Sequence, residues 1–157
     1  MMDSLLAGML ISLLPIIELR GGIPFAIAHG INPLTAFIFC TLANIIIILP
    51  IFLFLDYLHK HLLKIKPYKK TFDIFLKRIR TRKKKVERNY QTYGIIALTF
   101  FVAIPLPITG AWTGTLIAWL LNLKRRRSFL AIALGIIIAG IIVTLATTGI
   151  ITLFRLI

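Results

Sequence analysis

PIIELRGGIP, residues 15–24, sets a glutamate, an arginine and two glycines between prolines inside an otherwise apolar stretch. Its flanks are too apolar for a surface loop, and its centre is too polar for an ordinary membrane helix. Proline removes a backbone donor and disfavours helix in the residue before it, while glycine permits a turn. The run 4–29 therefore reads as two half-helices with ELRGGIP as an unwound tip. Glu18 and Arg20 stand at i and i+2 and share no helix face, but a turn opened by Gly21 and Gly22 lets their side chains converge. Each half has about 9–13 residues, fewer than the roughly 20 that cross a hydrocarbon core of about 30 Å. The expected element is a hairpin that enters the membrane and turns back.

The remainder of the chain fits a membrane setting. Of its 157 residues, 59% are hydrophobic, above the roughly 45–50% of soluble domains. The expectation is a single integral membrane domain over 1–157. Ala26-Ile27-Ala28 has the outline of a signal-peptide cleavage site. However, the start of the chain lacks a positive region, and Glu18 and Arg20 interrupt the apolar run, so the segment is expected to remain in the protein. The net charge of +14 is concentrated: of 19 basic residues, 13 lie between Lys60 and Arg88 and four between Lys124 and Arg127. Such clusters in loops beside apolar spans orient a membrane protein, so nucleic acid is not an expected partner. Cys40 is the single cysteine, which excludes an intrachain disulfide.

Residues 33–57 and 128–155 are each long enough to cross as one helix. Residues 93–122 are broken by PLPITGAWTG and read as a second hairpin. If this block crossed the membrane, the two basic clusters would face opposite sides; if it turns back, both face the cytoplasm, as the distribution of positive charge favours. The resulting order is re-entrant hairpin, transmembrane helix, basic segment 58–92, re-entrant hairpin, transmembrane helix. This all-α arrangement is an inverted repeat, a transporter plan in which broken elements meet near the midplane. Ala36, Cys40 and Asn44, and likewise Ala131, Gly135 and Ala139, form small-residue stripes suited to close helix packing. The basic segment reads as an amphipathic cytoplasmic helix. Lys83, Lys84 and Lys85 in this segment, and Arg125, Arg126 and Arg127 in the second basic cluster, are the candidate contacts to anionic lipid headgroups.

Five acids are scattered along the chain, namely Asp3, Glu18, Asp56, Asp73 and Glu87. They form none of the clusters that hydrolases or metal sites require, so neither an enzyme nor a metal or cofactor is expected. Glu18 is the acid expected at depth, where an ionisable group costs about 2.5–3.5 kcal/mol and persists when it pairs, meets water or works. It is the candidate for binding a proton or cation, with Arg20 receiving an anionic group and Gly21 and Gly22 shaping the tip. In the second hairpin Pro105, Pro107, Thr109, Gly110, Trp112 and Thr113 are the candidates. Thr109 is expected to cap a half-helix whose positive end points into the membrane. Asn44 and Asp56 complete the set.

At ELRGGIP, and again at PLPITGAWTGTLIAWLL, the chain resembles the putative small multidrug export protein family over most of residues 4–150. That family is similar to the wider DedA/VTT group of membrane proteins. The resemblance implies two re-entrant hairpins, proton-coupled transport and, in some members, lipid movement, with Glu18 matching the acid of the first hairpin and Asp56 a second acid. The sequence departs from the DedA pattern around Pro105, where Val102, Ala103, Leu106 and Ile108 replace the arginines expected there. The leading expectation is a secondary transporter in the cell membrane, multi-pass and homodimeric, moving a small amphipathic or anionic molecule or a lipid. The alternative is a non-transporting scaffold whose basic helix binds anionic lipid or a partner protein.

Overall fold

A computed structural model describes residues 2–62, 91–107 and 109–156, and among these residues every regular element is helical. Lys83, Lys84 and Lys85 and most of the basic segment lie outside the described residues. In chain order the helices are α1 (Met2–Leu13), α2 (Glu18–Ala28), α3 (Pro33–Ile46), α4 (Ile48–Leu62), α5 (Gln91–Ala103), α6 (Ala111–Leu120) and α7 (Arg125–Leu156).

Among the described residues, two helices are long and apolar enough to cross a membrane. One is Pro33–His59, formed by α3 and α4 together, and the other is Arg125–Leu153 within α7. The junction of α3 and α4 at Ile47 is explained by Pro50, which cannot donate to the carbonyl one turn back. Asn32 caps α3 by accepting from the Leu34 amide at 2.9 Å, and Pro33 follows at the first helical position, where a missing amide costs nothing.

The short helices pair. Ser12 of α1 lies against Gly22 of α2, and Gly8 lies against Ala26, so α2 runs back along α1. Gly94 at the start of α5 meets Leu123 just beyond α6, and Val102 near its end meets Gly114 of α6. The second pair is held shut at its open end by Gln91, whose Oε1 accepts from the Lys124 amide at 3.2 Å. Both pairs end the same way. After α2, the amides of Gly30 and Ile31 return to the carbonyls of Ile27 and Ala26; after α6, those of Asn122 and Leu123 return to Trp119 and Ala118. The turn residues Gly30 and Asn122 take the left-handed conformation (φ 84° and 50°) that this helix ending requires. At the same separation along the chain, Gly22 answers to Gly114 and Ala26 to Ala118.

The distribution of side chains inverts that of a soluble protein. Ala36, Cys40, Asn44, Ser12 and Ser128 are fully buried, whereas Leu34, Ile38, Leu42, Ile46, Leu49 and Leu53 face outward. Small residues inside allow backbones to approach closely, and large apolar residues outside suit hydrocarbon rather than water. Both predicted small-residue stripes are buried, including Ala131, Gly135 and Ala139. This is the pattern of a membrane protein.

One feature of the predicted first hairpin is corrected. ELRGGIP is not an unwound tip: the turn is Leu14–Ile17, and Glu18 begins α2, with Gly21, Gly22 and Pro24 inside the helix. Pro15 supplies the break. Gly22 instead makes room for Ser12 and the Gly8 carbonyl, where a Cβ would collide. Pro24 is accommodated in the first two turns of α2, leaving only the Arg20 carbonyl without its usual helical donor.

Candidate functional site

The turns of the two hairpins meet at Glu18. This residue closes the 14–17 turn by donating its amide to the Leu14 carbonyl at 3.1 Å and does so with φ at 52°. For a residue with a Cβ this left-handed conformation costs about 1–2 kcal/mol. It aims the side chain out of its own hairpin and into the other. The carboxylate is 4% exposed and accepts from the Trp112 amide at 3.3 Å, with the Ala111 amide beside it.

Those amides belong to the first turn of α6, whose N-cap is Gly110. The expectation that Thr109 caps this helix is therefore corrected. The cap residue has no side chain, and the acceptor comes from Glu18 of the other hairpin. A Cβ at Gly110 would coincide with the Glu18 carboxylate, so glycine leaves the space the acid fills. A carboxylate at a helix N-terminus satisfies free amides and lies at the positive end of the helix dipole, together worth up to about 2 kcal/mol when partly buried. Thr113 completes the cap by accepting from the Gly110 amide at 3.1 Å.

Arg20 reaches across in parallel. Its guanidinium donates to the Thr109 carbonyl and to Thr109 Oγ1, the latter at 2.9 Å, while its buried Nε has no partner. The Thr109 hydroxyl is also tied to the carbonyls of Ile104 and Leu106, at 2.7 and 2.8 Å. Glu18 and Arg20 act on each other through space without pairing directly. Each spends its hydrogen bonds on the opposite hairpin. Trp112 adds a third tie, donating its indole N–H to the Leu13 carbonyl at the end of α1, at 3.0 Å. Trp112→Phe keeps the ring and loses this bond, and should lower stability by about 1 kcal/mol, read as a fall in the unfolding temperature in detergent micelles.

Asn44 of α3 borders the same point, fully buried and close enough to the carboxylate to act on it. Neither atom of its amide completes a hydrogen bond of normal geometry. Leu19, Val102, Ile136 and Ala139 close the surroundings, and the space left is too small for a water molecule. Thr41, one turn before Asn44 on the same face, is also buried with its hydroxyl unpartnered. Its spacing from Asn44 was the available signal for this residue.

Other candidates lie elsewhere. Pro105 borders an apolar hollow of about 560 Å³ between α5 and α7, Pro107 is exposed, and Gly21 packs against Ile17. Asp56 is on α4, where it accepts from Trp119 Nε1 at 2.9 Å and pairs with Arg125, whose guanidinium stands 5.8 Å from the Phe52 ring centre. Arg126 borders an apolar groove beside Phe52 and Phe129, and Arg127 is exposed. Asp56 thus ties α4 to α6 and α7 away from the hairpin turns. Arg125 is 57% exposed, so the ion pair contributes little. Asp56→Asn keeps an acceptor for Trp119 and should cost less than about 1 kcal/mol, measured as the change in unfolding temperature at low and high salt.

No group of three or more His, Cys, Asp or Glu side chains suited to a metal occurs among the described residues. Comparison with curated proteins and with solved structures gives no match. A family model described as "Putative small multi-drug export protein" matches residues 18–142, beginning at Glu18 just after the first turn and taking in the second turn and the first part of α7. The description is that of an export protein, a transporter-like role rather than an enzymatic one. On this match, which spans most of its length, the chain belongs to the small multi-drug export protein family.

Proposed function

We propose that the protein is a proton-coupled secondary transporter. In this reading the two hairpins are re-entrant, enter the cell membrane from opposite sides and meet near its midplane. Both basic clusters face the cytoplasm, and the two halves form an inverted repeat. The matching helix endings at Gly30 and Asn122 support the repeat, since each closes a short helix pair and leads into a long apolar helix. A homodimer is part of the proposal, because two long helices and two hairpins make a thin enclosure.

The observation that carries the reading is the burial of Glu18 in the first turn of α6. An acid held by the backbone of a different element has two alternatives: charged it holds the hairpins together, and protonated it releases them. Arg20, freed from Thr109 by the same movement, would meet an anionic group of the cargo, a small amphipathic anion or a lipid headgroup. A binding step and a proton step are thereby coupled through one contact. The scaffold alternative gives no role to this arrangement and is not favoured by the family description.

The test is uptake by proteoliposomes of anilinonaphthalene sulfonate, with fluorescent phosphatidylglycerol as the lipid arm, across an imposed pH gradient. Flux of either probe that responds to the gradient supports the reading; flux of neither opposes it. Arg20→Ala should lower flux of the transported probe more than it lowers proton movement.

A further inference from the structure

The buried hydroxyl of Thr41 and the amide of Asn44 are costly where they stand, since neither has a hydrogen-bond partner in an interior otherwise lined by small and apolar side chains. Both belong to a longer row. On α7, Thr152, Thr148 and Thr144 recur every fourth residue, and each hydroxyl donates to the carbonyl one turn back, at 2.8, 2.9 and 2.7 Å. A hydroxyl so engaged keeps its lone pairs free to accept. The next position of the row is Gly140. A Cβ there would lie 2.8 Å from Thr41 Oγ1, so the α3 hydroxyl stands where a fourth α7 hydroxyl would. Asn44 follows one turn further along α3 and borders Glu18. At the other end, Thr148 and Thr152 line a cavity of about 310 Å³ with Gly30, Ile31, Asn32 and Pro33.

We propose that this row becomes a hydrated path linking the Gly30–Pro33 end of the molecule to Glu18 when the hairpin turns part, since with the turns closed the space beside Glu18 admits no water. The inference rests on the reading of Glu18 as the proton-exchanging group and gives that site its access route. Successive hydroxyls four residues apart on a helix stand about 6 Å from each other. That is farther than one water can bridge with two hydrogen bonds of about 2.8 Å each, so about two waters per step complete the line. Thr41 and Asn44 are the deeply buried members of the row. A proton arriving as hydronium leaves a neutral water and ends on a Glu18 oxygen. Arg20 is the charged side chain acting on that acid, and the path itself is built from groups that do not titrate. Toward the opposite end, Asp56, Trp119 and Arg125 join α4, α6 and α7 with no such row.

Two measurements separate this proposal from the reading it rests on. In a Cys40→Ala background, Thr148→Cys, Thr144→Cys and Thr41→Cys are treated with methanethiosulfonate ethylammonium, with Leu42→Cys and Leu145→Cys as outward-facing controls. The path cysteines are expected to react at least about tenfold faster than the controls; equal rates at Thr41 and Leu42 would overturn the path. In proteoliposomes carrying an internal pH dye and a potassium potential, Thr41→Val and Asn44→Leu are expected to lower proton flux about tenfold, beside a larger loss in Glu18→Gln. A flux that depends on Glu18 but ignores both path variants also overturns it. Fast labelling without any Glu18-dependent flux leaves the hydrated path standing and removes proton coupling instead.

Discussion

Glu18→Gln is expected to leave the fold in place and to lower transport at least about 100-fold, at the low end of what a positioned proton-transfer group contributes. The carboxamide keeps the size of the side chain and an oxygen that can accept from the Trp112 amide, so the meeting of the hairpins survives. What it loses is the negative charge at the positive end of α6 and the capacity to take up a proton. A neutral, non-titrating acceptor fixes the contact in one state, and the proposed switch between holding and releasing disappears. Uptake in proteoliposomes read beside the unfolding temperature checks this: flux is lost while the temperature falls only slightly. A variant that transported at the original rate would deprive Glu18 of its role.

The second large effect is structural. Gly110→Ala puts a methyl group where the buried Glu18 carboxylate lies. The two turns must separate, with loss of the hydrogen bond to the acid, about 1.5–3 kcal/mol, and added strain of about 1–3 kcal/mol. A net destabilisation of about 3 kcal/mol is expected. The cause is checked by a double-mutant cycle. In a Glu18→Ala background the space is free, and Gly110→Ala should then cost less than about 1 kcal/mol. A penalty that persisted unchanged would point to the Gly110 backbone rather than to the acid.

The long helices and the two small-residue stripes were legible in the sequence because run length and spacing are properties of one segment. The existence of both hairpin breaks was legible for the same reason. The position of the first was not: glycine pairs serve both turns and close helix contacts, and only the neighbouring Ser12 and Gly8 decide that Gly22 does the latter. The cap of α6 was hidden more deeply. A local rule assigns it to Thr109, whereas the acceptor is supplied from a residue distant in the chain, and Gly110 carries no chemistry of its own to announce this. Their spacing beside Gly21 and Gly22 suggests that Glu18 and Arg20 converge on each other. Their side chains instead diverge to separate partners in the second hairpin, because Glu18 begins a helix in the left-handed conformation and two residues later Arg20 points elsewhere.

The most direct test concerns the hairpins themselves. Their turns meet in the folded chain, and the proposed function has them enter the membrane from opposite faces. In a Cys40→Ala background, His29→Cys and Asn122→Cys stand just beyond the second helix of each hairpin. With a membrane-impermeant maleimide applied to intact cells, His29→Cys should be labelled at once and Asn122→Cys only after the membrane is opened. Labelling of Asn122→Cys in intact cells would contradict two re-entrant hairpins meeting at Glu18.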